Sequence, residues 1–179
     1  AERAVQRLSS TNHWQVAVTL PGGGKLGVLA YAATPPVFDG PEDRNGRRNH
    51  DETATWLRLL EGAARPASPF VVLGKVNLDP VDGDGRPEAL RALLAHPGLQ
   101  DPAPRGASGH VDVGQRGDPA LDTAMFPDGP GGLRLDYVLP SADLRVTGAG
   151  VLWPSGGALA ETLAQASHHR PVWVDIEVP

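Results

Sequence analysis

Pro69-Phe70-Val71-Val72-Leu73-Gly74-Lys75-Val76-Asn77-Leu78-Asp79-Pro80 is the stretch that decides the fold. Pro69 to Gly74 is a short, wholly apolar run, which reads as a central strand buried on both faces. Polar residues follow at once, and Lys75 to Gly85 forms a loop rich in acids and glycines. An apolar strand that ends in polar residues is the usual place for a site on an α/β sheet.

Working outward from that strand, upstream residues Trp14 to Val18 alternate apolar and polar side chains. Pro21-Gly22-Gly23-Gly24 turns the chain, and Lys25 to Tyr31 returns as a second strand. Thr34 to Arg48 has no usable period, and loops of that length are usually functional or pinned to the fold. Asn49, three residues before Glu52, resembles a capping-box start, with Trp56, Leu57, Leu59 and Leu60 as the apolar face of a helix running to about Gly62. Ala64 to Ser68 is a linker.

Downstream, Pro87 introduces a helix over Glu88 to Ala95, and residues 96–130 read as loop. Leu133 to Pro140 and Leu144 to Trp153 are two further strands, Gly157 to Gln165 a short helix, and Pro171 to Val178 the closing strand. Trp14, Trp56, Trp153 and Trp173 occupy element positions and are expected in the core. The order predicts an α/β fold with a mixed β-sheet flanked by helices, in one domain over residues 1–179.

Composition narrows the chemistry. The 179 residues contain 22 Gly and 18 Pro without a period, which excludes collagen-like and low-complexity chains. No Cys is present, so a disulfide scaffold, a thiolate metal site and a cysteine nucleophile are excluded. A net charge of −5 argues against non-specific nucleic-acid binding. No apolar run reaches the roughly 20 residues of a membrane span, and Ala1 to Val5 do not read as a signal peptide.

Four places collect polar groups at strand ends or within strands: Tyr31 to Pro36, Gly74 to Pro80, Ala166 to Pro171, and Asp136 inside Arg134 to Leu139. A carboxylate buried in a strand is expensive unless paired, and a histidine is the natural partner for Asp136. His168 and His169 are adjacent, and adjacent residues of an extended chain point to opposite faces. A metal shared by the two histidines is therefore disfavoured. Asp79, Asp82 and Asp84 suggest a calcium loop, but the distal Glu of such loops is missing, which favours a solvated turn. Arg44, Arg47 and Arg48 lie among Asp39, Glu42, Asp43 and Asp51, which favours a self-neutralising loop over a phosphate contact. Lys75 suits either an anion site or a salt bridge to Asp136 or Asp79.

Phe38 to Glu52, Gly74 to Gly85, Arg116 to Thr123, Leu135 to Pro140 and His169 to Val178 together resemble bacterial proteins of the endonuclease/exonuclease/phosphatase superfamily. The resemblance implies a four-layer α/β/β/α sandwich, of which these residues correspond to the C-terminal half. It also implies a divalent cation and an Asp–His general base that directs water onto a phosphodiester. Within it, Asn77, Asp136 and His169 match the expected site residues. Ala32 stands where the pattern has a catalytic histidine, Lys75 where it has a catalytic Asp, and His168 where it has another Asp.

Lys for Asp changes the local charge by two units. At about 4 Å and an effective dielectric of about 20, each unit-charge pair counts for about 4 kcal/mol. The expectation is thus a non-catalytic binding or structural subunit that needs no cofactor. The alternative is a phosphoesterase or nuclease dependent on Mg²⁺ or Ca²⁺, completed by a separate N-terminal half and using Asn77, Asp136 and His169. A half-sandwich leaves one apolar sheet face open, so a protein partner or a second copy is expected to cover it. The resemblance leans toward export or the cell envelope.

Overall fold

The computed structural model describes residues 7–67, 69–107, 110 and 112–178, so Ala1 to Val5 and the linker's Ser68 lie outside the described residues. The central sheet has the order β1-β2-β3-β6, built from β1 (Asn12–Thr19), β2 (Lys25–Ala32), β3 (Phe70–Lys75) and β6 (Asp136–Pro140). β1 and β2 form an antiparallel hairpin, and its turn places Gly23 at φ +85°, a conformation that favours glycine. β3 runs parallel to β2, and such a pair needs a crossover. α1 (Arg44–Glu61) supplies it. β6 closes the sheet antiparallel to β3.

One face of this sheet carries the core. Leu29, Tyr31, Phe70, Val72, Tyr137 and Leu139 are buried there against Trp56 and Leu60 of α1 and Leu90 and Leu93 of α2 (Glu88–Leu94). β4 (Ala124–Phe126) and β5 (Gly131–Leu133) form a small hairpin, and β7 (Arg145–Val151) pairs with β8 (Val172–Glu177) as a further ribbon. α3 (Ala158–Ala166) links the last two strands. The mixed α/β architecture, with sheets flanked by helices, agrees with the sequence reading. No helix among the described residues is long and apolar enough to cross a membrane.

Several expectations need correction. α1 begins at Arg44 and not at Asn49, because the Asp39 carboxylate accepts the Asn45 N–H and caps the first turn from the preceding loop. Arg44, Arg47 and Arg48 therefore sit on a helix, and among the described residues none forms an ion pair within 4.0 Å, so they do not make a self-neutralising loop. Residues 96–130 are not all loop: they hold the 3-10 turn Pro119–Leu121 and β4, each only three residues and too short to show a period. Leu133 to Pro140 is two strands. The chain breaks at Arg134-Leu135, where the Leu135 carbonyl accepts the N–H groups of Val76 and Asn77.

Only one of the four tryptophans, Trp56, is fully buried. Trp14 is 59% exposed, on the sheet face opposite the helices. Trp173 is 45% exposed and lies over Gly150, where a Cβ would come 2.7 Å from its ring. Trp153 is half-buried beneath the Arg170 guanidinium, 4.9 Å from its ring centre.

Candidate functional site

Sheet register brings the site together. Ala32 at the end of β2 pairs with Lys75 at the end of β3, and Lys75 pairs with Asp136 at the start of β6. Three sequence-distant positions therefore lie side by side at one edge of the sheet. Asn77 follows two residues beyond Lys75 at φ +57°, a left-handed conformation that Asn tolerates. Its amide donates to the Ala33 carbonyl at 2.6 Å, which ties the β3 loop to the β2 loop.

Asp136 and His169 meet: His169 Nδ1 lies 2.7 Å from Asp136 Oδ2. A carboxylate can only accept, so Nδ1 carries the proton and the neutral ring presents Nε2 as an acceptor. Thr123 fixes the carboxylate. Its hydroxyl donates to Asp136 Oδ2 at 2.9 Å and accepts the N–H groups of Leu135 and Asp136. The Thr123 carbonyl accepts the Arg170 N–H, and Ala124 bridges His169, so β4 places the histidine opposite its aspartate. His168 turns elsewhere: its Nδ1 donates to the Met125 carbonyl at 2.9 Å, and its ring stacks on Phe126. The two histidines do not share a site.

A cavity of about 510 Å³ opens beside the pair, with Lys75, Asn77, Asp79, Asp84 and His169 on its polar side and Pro36, Phe38, Phe126 and Leu135 among its apolar walls. Lys75 is exposed at this cavity and, among the described residues, forms neither of the salt bridges expected to Asp136 or Asp79. Asp79 is not a solvated turn residue. It is 5% exposed, and its carboxylate accepts the N–H groups of Val81, Asp82 and Arg134.

Supports invisible as motifs hold the loops. Asn49, buried within α1, donates to the carbonyls of Thr34 and Val76, and Glu52 accepts the Thr34 N–H at 2.6 Å. The capping-box spacing of Asn49 and Glu52 thus belongs to a mid-helix brace that grips the site loops. Arg134 makes a two-point ion pair with Asp101 and stacks over Tyr137, whose hydroxyl donates to the Arg134 carbonyl.

A divalent cation of the kind the resemblance implies wants several free carboxylate oxygens. Here Asp136 is engaged by His169 and Thr123, Asp79 by three backbone donors, and Lys75 lines the same cavity as Asp79. Among the described residues, no group of three His, Asp or Glu side chains is arranged to hold a metal ion.

Fold and site together define a phosphodiesterase- or nuclease-like α/β scaffold. The endonuclease/exonuclease/phosphatase family model matches residues 4–171, and the chain belongs to that family. Among solved structures, an endonuclease/exonuclease/phosphatase from Beutenbergia cavernae aligns with a TM-score of 0.61 at 20% identity, over 94% of this chain and 39% of that one. A 3'-5' exonuclease from Neisseria meningitidis aligns at 0.53 and 16% identity, over 95% of this chain and 72% of that one. A Neisseria 3' phosphatase bound to a product DNA hairpin aligns at 0.52 and 18% identity, over 92% and 65%. No curated protein matches the chain. The chain spans 39% of the length of the Beutenbergia structure and 65% of the phosphatase.

Asp122 is 3% exposed and accepts a hydrogen bond from Gln115 at 2.8 Å. Burial pushes its carboxyl up to about 6; the Gln115 bond opposes the shift and repulsion from Asp79 adds to it. Between 3.8 and about 6 the folded chain keeps a proton that the unfolded chain has released, so stability falls as pH rises through that window. Asp122→Asn removes this cost. Chemical denaturation is expected to show the variant about 1–2 kcal/mol more stable at about pH 7.5, with no gain at about pH 4.

Proposed function

We propose that this chain is a non-catalytic module, on the phosphodiesterase scaffold of its family, that binds a phosphate-bearing ligand without a metal. The observation that carries the reading is Lys75: an ammonium without an ion-pair partner among the described residues, in the cavity that Asn77 and His169 also line. A cation there attracts phosphate oxygens directly and repels the Mg²⁺ that a hydrolase of this class would need. Ala32, level with Lys75 in the sheet, offers no proton and no phosphate contact. In this reading Lys75, Ala32 and His168 occupy positions where active relatives carry acid, base or metal-binding groups.

One observation favours a second reading, a metal-dependent phosphoesterase. The Asp136–His169 pair keeps the geometry of a general base, with Nε2 free of the carboxylate. Asn77, Asp136 and His169 would then be its catalytic groups.

The exposed edge of the central sheet supports a protein contact as part of the same function. Trp14, Val16 and Val18 alternate onto the face opposite the helices and are 59%, 46% and 41% exposed. A strip of that size is an interaction surface more often than an accident of folding. We infer that a protein partner or a second copy covers it. Sedimentation velocity at low micromolar concentration is expected to show self-association that Trp14→Ser with Val16→Ser weakens; a well-folded monomer binding no protein contradicts the inference.

Hydrolysis separates the non-catalytic reading from the catalytic one. Incubated with Mg²⁺, Mn²⁺ or Ca²⁺ and bis(p-nitrophenyl) phosphate or plasmid DNA, the chain is expected to release no product above the uncatalysed background. Metal-dependent turnover that His169→Ala abolishes would overturn the non-catalytic reading and establish the second one.

A further inference from the structure

Phe38 is held in an unusual state. Its side chain is 91% exposed and its backbone sits at φ +69°, a region that bulky residues avoid and that stores strain where it occurs. The strain is imposed from both sides by one residue of α1. The Asn45 side-chain amide donates to the Val37 carbonyl at 2.7 Å, and the Asn45 N–H donates to the Asp39 carboxylate. The loop is further wedged at Pro36, where a Cβ on Gly85 would come within 2.6 Å. The fold therefore fixes the backbone at Phe38 and leaves its aromatic ring in solvent at the cavity wall, where it contributes almost nothing to the core.

Phe126 forms part of the same cavity. Its ring stacks on His168 at 5.2 Å and 23°, and meets His169 edge-on at 6.2 Å and 88°. His168 is itself held by the Met125 carbonyl. Leu133 and Leu135 continue the apolar lining, and Lys75 supplies a cation at the polar end. A volume of about 510 Å³ is in the range of small-molecule sites.

We propose that the cavity selects an aromatic phosphomonoester, whose planar ring lies against Phe38 and Phe126 while its phosphate meets Lys75. The proposal rests on the anion reading of Lys75 and adds to it the chemical class of the ligand. Stacking between aromatic faces tolerates many ring types, so the subsite reads planarity and apolar area in place of a hydrogen-bond pattern. Holding the Phe38 backbone in place removes the entropy that a mobile loop would lose on binding.

Calorimetric titration in EDTA with phenyl phosphate and with methyl phosphate tests it. Wild-type chain is expected to bind phenyl phosphate about tenfold more tightly, a difference of about 1.4 kcal/mol. Phe38→Ala brings the two ligands within about twofold of each other, leaves methyl phosphate affinity and melting temperature unchanged, and Phe38→Tyr restores the preference. Equal affinities in the wild type, or a preference that survives Phe38→Ala, overturn the aromatic subsite while leaving the anion reading intact. Failure of both phosphates to bind overturns the anion reading and the subsite with it.

Discussion

The register of β3 is the constraint on which the rest depends. Because β3 is parallel to β2 and antiparallel to β6, Lys75 stands level with Ala32 on one side and Asp136 on the other. A shift of one residue would turn every side chain of β3 to the opposite face. It would drive Phe70 and Val72 out of the helix-covered core and remove Lys75 from the cavity. The burial of that apolar strand therefore sets the chemistry at its end, and the pairing of Asp136 with His169 follows once β6 is placed.

The site shows how electrostatics and backbone bonding divide their labour. Asp136 and Asp79 are satisfied within the protein, one by His169 and Thr123, the other by three backbone N–H groups. Both carboxylates are thus committed to shaping loops. Lys75 faces the cavity without an ion-pair partner among the described residues, and the Asp84 carboxylate lines the same cavity. Burial of one further acid, Asp122, is tolerated because a carboxyl pushed up to about 6 need not always carry its charge there.

Much of the fold was legible because it is written in local periods. The apolar run at Phe70, the alternation of β1 and β8, and the apolar face of Trp56 and Leu60 all mark elements that the structure contains. A carboxylate within an apolar strand demands a partner, which marks Asp136 as wanting a histidine, and the family resemblance points to His169 as that histidine. What stayed hidden is non-local or short. Thr123 acts on Asp136 across a turn, β4 has three residues, and Asn49 looks like a cap while bridging two loops from inside a helix. Trp14 and Trp173 were placed in the core because residue type favours burial, but position on the sheet decides, and both lie on uncovered faces.

The central claim is that a lysine, in place of a metal ion, receives the ligand's phosphate. An isotherm of inorganic phosphate binding, measured in EDTA and again in excess Mg²⁺ for wild-type and Lys75→Gln chains, tests it most directly. The account predicts binding in EDTA that Mg²⁺ does not strengthen and that Lys75→Gln weakens about tenfold or more, as loss of a charge-assisted contact requires. Binding that appears only with Mg²⁺ and survives Lys75→Gln would contradict it.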